Sequence, residues 1–408
     1  MGKEQQHLLA AIDLGSAKTC AVITEITDSG PRYLGHGISE SRGVRRGIIV
    51  DLEKAVASVQ KAVAQAEDAA GVPVERALAG VGGPHVRGVK SRGGITVASR
   101  AREITRDDIR AAVERARAIS LPGDREVLHL LPQEFILDQQ PGIRDPAGMT
   151  GSRLEVQVHI ATAASTATQN IVAALNRAGI HVDDTVFEPL ACADAVLKTD
   201  DRELGVCLID IGASSTETIV YYEGAVMHTS VVPIGGDHFT NDTAVGLRTP
   251  LADAEKIKKL FGCAVVTKIP EGNEVEVPGV GDKPARLMSQ RLLAEILEPR
   301  ARELFEMLRD NLRHAGVLEL CAVGTVLTGG GALLRSLTEI AEDVLRKPAR
   351  VGYPSPIAKM PETLAEPEFA AAVGTIFYGY RTRLSRAAQE QSFGTRVRAM
   401  FARTVASL

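Results

Sequence analysis

The chain is poor in cysteine. Cys20, Cys192, Cys207, Cys263 and Cys321 are scattered over 408 residues, with no Cys-x-x-Cys pair among them. An odd and dispersed set argues against a disulfide framework or a zinc site, and it fits a reducing cytoplasm. His-Glu-x-x-His is absent too, and with it the zinc-protease type of metal helix. Long apolar runs are also missing: none approaches the roughly 18 residues of a spanning helix. The opening MGKEQQHLLAAIDLG has too short an apolar stretch for a signal peptide, and Asp13 interrupts it. Gln6 stands where a myristoylation start wants Ser or Thr, so the N-terminal segment offers no route to a membrane. Nor is there an excess of positive charge. With 47 Lys and Arg against 51 Asp and Glu, the net charge is -4. That argues against a nucleic-acid partner held by a broad basic surface.

What remains is an ordinary globular composition, 45% hydrophobic and 24% charged, on a chain too long for one core. Residues 8–38 read as a meander of three strands, Leu8–Leu14, Thr19–Ile26 and Tyr33–Ile38. A helix follows from an Asp51 N-cap to Ala70, with Leu52, Val56, Val59 and Val63 on one stripe and Gly71 as its stop. Residues 84–162 have another texture and read as a loop-rich insertion with short strands. Its one clear helix, Thr105 to Ile119, opens on a Thr105–Asp108 capping pattern. Asn170–Ala178 is helical, and FEPLACADAVL starts a helix with Pro189 in its first turn. A second meander spans 205–234, and charged helices with a long loop fill 235–300. A helix from Arg291 to Ala315 is expected to be interrupted at Pro299. TVLTGGGALLRSLTEIAEDVL reads as strand, glycine turn and helix. Phe369, Val373, Phe377, Tyr380 and Leu384 mark a further helical stripe.

The two meanders open alike. AIDLG ends its first strand on Asp13 and Gly15, and LIDIG repeats this with Asp210 and Gly212, 197 positions later. A carboxylate at the end of a buried strand costs desolvation unless its charge is compensated. Hydrated Mg2+ would do so, because it takes few carboxylates and shares phosphate oxygens. The glycine after each Asp lets backbone N–H groups approach an anion. A plain Asp-Gly hairpin explains one copy; two copies heading the same meander favour a pair of phosphate turns. GSAKT is not a P-loop, since Ala17 precedes Lys18, and AGVGGPHVRG breaks Gly-x-Gly-x-x-Gly at His85. TGGG precedes a helix, where ribose or phosphate oxygens could meet free N–H groups, although a plain connection reads the same way.

AIDLGSAKT, LIDIGASSTET and VLTGGGALL together resemble the phosphate-1, phosphate-2 and adenosine motifs of the actin-like ATPase superfamily. SRGVRRGIIVDLEKAV, LHLLPQEFILD, LADAEKIKKLFGCA and LAEILEPRARELF extend the resemblance, nearly end to end, to the FtsA family of bacterial cell-division proteins. It implies an α/β, actin-like ATPase fold: two ribonuclease-H-like lobes around a nucleotide cleft, with an inserted small α+β subdomain in the first lobe. The implied division gives 1–83, 163–195 and 362–385 to the first lobe and 84–162 to the insertion. The second lobe takes 196–234 and 301–361, its small subdomain 235–300, and a linker and tail helix 386–408.

The resemblance also implies roles. Asp13 and Asp210 hold Mg2+ through water, Gly15, Ser16 and Lys18 line the first phosphate turn, and Gly212, Ser214 and Ser215 line the second. Gly235 and Gly236 lie near the phosphates, and Gly329, Gly330 and Gly331 back the adenosine of ATP. Glu255 contacts ribose and Lys258 lies near adenine; without the family they read as a solvated helix face. Ala213 and Ser214 stand where related loops carry glycines, so binding is expected with hydrolysis at most slow. Glu188 is the one acid nominated to orient a water; it reads more readily as a carboxylate at a helix N-terminus.

The final SFGTRVRAMFARTVASL places Phe393, Val397, Met400, Phe401 and Val405 on one helical side, flanked by Arg396, Arg398 and Arg403. This suits an interfacial helix on anionic lipid, or a helix folded back on the protein, or a frayed end. Each large apolar side chain contributes roughly 1.5–3 kcal/mol when fully buried, offset by the ordering of a short helix. One copy therefore anchors weakly and a filament of copies strongly. The family implies membrane targeting by this tail, self-association into filaments, and a position on the cytoplasmic side of the inner membrane at the division site. It further implies docking of the C-terminal peptide of FtsZ on 235–300, where Lys283, Arg286, Arg291 and Arg300 are the candidate contacts. Other divisome proteins would bind the inserted subdomain. The rivals are a scaffold like PilM of pilus assembly, which should lack the tail, and an actin-fold metabolite kinase, for which no catalytic Asp motif is found. A chaperone ATPase is disfavoured by the short chain after Leu384.

Overall fold

The computed structural model describes residues 7–98 and 101–385. Two five-stranded sheets carry the same strand order. In the first, Leu8–Leu14 lies between Arg76–Val81, to which it is parallel, and Lys18–Thr27, to which it is antiparallel. His181–Phe187 extends the parallel side and Gly30–Glu40 the antiparallel side. In the second sheet Val206–Ile211 takes the central place, with Gly324–Thr328 and Ala349–Val351 parallel on one side. Thr216–Tyr222 and Ala225–Val232 complete it as an antiparallel meander.

The central strands are continuous apolar runs because both faces are covered. On the first sheet, the helix Leu52–Ala70 starts where the Asp51 side chain accepts from the Lys54 N–H at 3.2 Å. It ends at Gly71, whose φ of 68° is left-handed. It lies flat on Gly30–Glu40, and a Cβ at Gly37 would overlap the Ala62–Ala66 backbone. Leu208, Ile219 and Val326 face the first lobe across the helix Glu188–Val196 and share its core. Ile209, Ile211, Val220 and Leu327 face away, onto the helices Gln290–His314 and Leu337–Leu345. Helix Gln290–His314 is continuous, not interrupted at Pro299. Pro299 and Glu295, four residues before it, are both exposed, so the lost hydrogen bond falls on the solvent side.

Residues 84–162 are not loop-rich. They form a four-stranded antiparallel sheet, in the order Gln140–Ile143, Arg125–Leu137, Arg153–Ala164, Arg87–Thr96. The expectation of short strands fails because one face is polar and a proline interrupts the pattern. Pro132 lies beside a register shift between Gln157 and Val158, which accommodates its missing donor. The helix Arg106–Arg117, capped by Thr105 and Asp108 as the sequence suggests, covers the apolar face through Ala112 and Ala116.

In 235–300, helices Gly236–Leu247 and Leu251–Phe261 are followed by a hairpin of Glu274–Val277 and Arg286–Ser289. After Gly329 the chain makes a short 3-10 turn, Gly330–Leu333, and the helix begins only at Leu337, so the glycines do not form a helix N-terminus. The last described helix, over 370–385, buries Ala370, Ala372, Val373 and Ile376, while Leu384 of the expected stripe is exposed. No described helix is long and apolar enough to cross a membrane.

Candidate functional site

A cavity of about 610 Å³ opens between the two sheets, where the central strands end. Asp13 and Asp210 enter it from opposite lobes, each at the start of a hairpin. The first turn exposes Gly15 and Ser16; the second is closed by Gly212 N–H donating to the Ser215 carbonyl at 2.9 Å. The turns meet: Ser214 Oγ donates to Ser16 Oγ at 2.8 Å, and Gly47 N–H donates to the same Ser16 oxygen at 3.1 Å.

Four of the carboxylates that line this space act on one another. Asp13 and Glu217 are buried, at 8% and 4% exposure, while Asp210 and Glu188 are partly open to the cavity. Burial pushes Asp13 up to about 6; Lys18 pulls it down and Asp210 adds to the rise. Burial likewise raises Asp210, against the Cys192 thiol, which donates to its Oδ2 at 3.3 Å. Glu217 is pushed up to about 8, first by burial and then by Asp210, and Glu188 is raised well above the usual range by burial and by Asp13. So many carboxyls around one space resist ionising together. Lys18 is the cation set among them. Its Nζ is 2.9 Å from Glu368 and 4.5 Å from the centre of the Phe369 ring.

The residues fit an anionic ligand that brings a cation. Glu217 Oε2 is buried without a partner, which a water or a ligand group would supply. Gly329 adopts a φ of 78°, and a Cβ there would collide with Asp210. Gly236 N–H donates to Gly212 O at 2.9 Å and Asp237 N–H to Ala213 O at 2.7 Å, which fixes the second turn from behind. Lys258 Nζ is 2.6 Å from Glu255 and donates to Gly236 O at 3.0 Å and to Thr240 Oγ1 at 2.8 Å. Burial lowers Lys258 despite Glu255; burial acts to raise Glu255, but Lys258 and Thr240 hold it below its usual range. Beyond this pair, Leu260, Leu333 and Leu334 supply an apolar end to the cavity.

Residues 207–374 match the family model described as cell division protein FtsA, and residues 83–162 match the SHS2 domain inserted in it. Cell division protein FtsA of Pseudomonas aeruginosa is 40% identical over 373 residues, 91% of this chain and 89% of its own length. That of Escherichia coli K12 is 36% identical over 392 residues, 94% of this chain and 93% of its own. The chain belongs to the FtsA family of cell-division proteins. Solved structures share the fold at low identity. A PilM–PilN type IV pilus biogenesis complex aligns with a TM-score of 0.66 at 18% identity, over 91% of this chain and 98% of the other. MreB5 of Spiroplasma citri bound to ADP aligns with a TM-score of 0.57 at 12%, over 94% and 99%. The expected actin-like ATPase fold with an inserted subdomain is therefore the fold of this FtsA-family chain, and that fold implies nucleotide binding.

Of the residues singled out from sequence, Asp13, Gly15, Ser16, Lys18, Glu188, Asp210, Gly212, Ser214, Ser215, Gly236, Glu255, Lys258 and Gly329–Gly331 all line the one cavity. Gly235 does not; it caps the helix Gly236–Leu247 behind the second turn. Sequence reading missed Glu217, Gly47, Gly82 and Gly83. The signal for Glu217 was an acid inside the apolar run TETIVYY. AGVGGPHVRG fails as a dinucleotide loop, yet its Gly82 and Gly83 form part of the cavity wall.

The four candidate partner contacts divide. Lys283 and Arg286 line a second cavity of about 390 Å³ with Gly246, Arg248, Val280 and Met288. Arg291 lies 3.8 Å from Glu295 and 3.9 Å from Glu271, and Arg300 pairs with Asp242 at 2.6 Å and with Glu303. The tail residues Phe393, Arg396, Val397, Arg398, Met400, Phe401, Arg403 and Val405 lie outside the described residues.

Proposed function

We propose that this FtsA-family chain is a nucleotide-dependent tether, holding the FtsZ ring to the cytoplasmic face of the inner membrane and polymerising there. The observation that carries the reading is the cavity shared by two acid-ended hairpins, one per lobe, joined through Ser16 and Ser214. ATP with Mg2+ is its ligand. Mg2+ uses one or two carboxylates with water and phosphate oxygens, the number Asp13 and Asp210 supply. When bound, the ion compensates charge that burial alone makes costly.

Within this reading Gly15, Ser16, Lys18, Gly212, Ser214 and Ser215 receive the phosphates, and Glu255, Lys258 and Gly329–Gly331 the nucleoside. Glu188 orients a water for slow hydrolysis. The domain division given from sequence is retained, with the inserted subdomain as a docking site for other divisome proteins. Self-association draws support from the fold, which a structure of a MamK double helical filament shares with a TM-score of 0.51 at 12% identity. Membrane attachment rests on the sequence of 391–408, and capture of the FtsZ peptide on 235–300.

The deciding experiment uses the full chain and a chain lacking residues 391–408. Each is sedimented with anionic and with neutral vesicles, with and without Mg-ATP, and imaged for filaments. The full chain should pellet with anionic vesicles and form filaments with nucleotide; the truncated chain should stay in solution. Nucleotide binding without lipid attachment or filaments would overturn the tether.

A further inference from the structure

The inserted subdomain belongs to the first lobe by chain connection, yet it is bonded to the second lobe. Its long strand Arg153–Ala164 carries His159, buried at 1% exposure, whose Nε2 is hydrogen-bonded at 2.8 Å to Oγ1 of Thr229. Gln133, on the neighbouring strand Arg125–Leu137, donates through Nε2 to the Val226 carbonyl at 2.7 Å. Thr229 and Val226 both lie on Ala225–Val232, the edge strand of the second meander.

A third bond joins the same meander to the neck of the insertion. Glu217, on the middle strand Thr216–Tyr222, accepts through Oε1 from the Gly83 N–H. Gly83 stands at the start of the insertion, just ahead of its strand Arg87–Thr96, and Arg125 ties both of its connecting segments together. The Arg125 guanidinium donates to His85 O at 3.1 Å and to Thr162 O at 2.9 Å. The other Glu217 oxygen is buried, has no partner and belongs to a residue lining the nucleotide cavity. One side chain thus belongs to the cavity wall and, through one oxygen, holds the neck of the insertion.

We propose that Glu217 is a positioning residue through which an occupied cleft fixes the inserted subdomain, with the His159–Thr229 bond as the second joint of the same linkage. The proposal rests on the nucleotide reading above. Ligand at the phosphate end packs against Glu217, which lines the cavity there, and holds its carboxyl still. The Gly83 loop and the edge strand Ala225–Val232, both hydrogen-bonded to the insertion, are then held with it. A partner on the inserted subdomain and a nucleotide in the cleft accordingly favour each other, because such coupling is reciprocal.

Hydrogen–deuterium exchange on the full chain, with and without saturating Mg-ATP, tests this. In the wild type, nucleotide should slow exchange several-fold in 205–236 and also in 84–98 and 125–164. Glu217→Ala should keep the response in 205–236 and lose it in the insertion; Glu217→Gln, which retains an acceptor for Gly83, should restore it. Thr229→Val, remote from the cavity, should bind nucleotide as the wild type does and lose the response in 125–164. An insertion response that survives in both Glu217→Ala and Thr229→Val overturns the proposal. Equal loss in Glu217→Gln and Glu217→Ala overturns the acceptor role. Should Glu217→Ala fail to fold by its melting curve, Thr229→Val decides alone: loss supports the linkage and retention overturns it. Absence of nucleotide binding by the wild type is a separate readout, and it overturns the nucleotide reading itself.

Discussion

Ser16 and Ser214 stand 198 positions apart in the chain, and their hydroxyls share a hydrogen bond at 2.8 Å across the cleft. Ser214 occupies one of the two places where related loops carry glycine. Its side chain therefore has a use that glycine could not serve: it closes the two hairpin turns upon each other. A neutral hydrogen bond contributes about 1 kcal/mol net, or roughly fivefold in an equilibrium. Ser214→Gly should speed release of a fluorescent ATP analogue about fivefold in a stopped-flow chase. Ser16→Ala, which also frees the Gly47 N–H, should do at least as much, and the double variant should add little to it, because the bond between the two hydroxyls is already lost. Fully additive effects would show that the two hydroxyls act separately.

Asp13 is buried at 8% exposure beside Asp210, so its charge is a cost that the folded chain carries without a cation. Asp13→Asn should have opposite effects on two measurements. Melting in EDTA should show the variant more stable by roughly 1–3 kcal/mol, since each pKa unit corresponds to about 1.4 kcal/mol. Calorimetric titration should show Mg-ATP binding weakened at least tenfold, on the order of 1.4 kcal/mol or more. A variant that is both less stable and equally able to bind would contradict the assignment.

The pH dependence follows from the same groups. Asp13 is pushed up to about 6 and Glu217 to about 8 in the folded state, so the folded chain holds more protons than the unfolded one between the ordinary carboxyl range and pH 8. Stability then falls as pH rises through that window. His159 acts in the other direction and lower down. Burial, with His228 and Lys90 nearby, lowers it to about 4, so stability is lost as pH falls from about 6.5 towards 4. Denaturant titrations without metal should therefore show declining stability from about pH 7 to 8, above the range in which His85, His129 and His159 titrate in the unfolded chain. With Mg-ATP that decline should flatten, since the added cation favours the ionised carboxylates.

Much of the fold was legible because the two meanders are local. Strand-Asp-x-Gly-strand lies within a few residues, and the apolar runs around Ile12 and Ile209 are long enough to read. Glu217 was not legible, since its meaning comes from Gly83, 134 positions away in the other lobe. The insertion was misread because its strands expose one polar face and because Pro132 sits at an irregularity that only pairing reveals. The glycines at 329–331 read as a turn directly ahead of a helix N-terminus. In fact a 3-10 turn intervenes, and Ser336 in a left-handed conformation begins the helix instead.

Lys258 offers the last test, because its contacts give it a structural task as well as a binding one. Its ammonium pairs with Glu255 at 2.6 Å and holds both the Gly236 carbonyl and Thr240. Thr240 in turn donates to Glu255, so one acid, one base and one hydroxyl fix the loop behind the second phosphate turn. Lys258→Met keeps the aliphatic stem and removes the charge. Glu255 then keeps the Thr240 hydroxyl and an ion pair with Lys259, at 3.2 Å and largely exposed. The loss should be about 1–2 kcal/mol, below the roughly 3–5 of a fully buried pair, because the Glu255 side chain is one-third exposed. Chemical denaturation measures this. Glu255→Gln should cost less, since the amide can still accept from Lys258. Nucleotide affinity should fall in both, and further in Lys258→Met, where the Gly236 loop is freed as well. If Lys258→Met bound nucleotide as the wild type does, the pair would be no more than the solvated helix face that its spacing also allows.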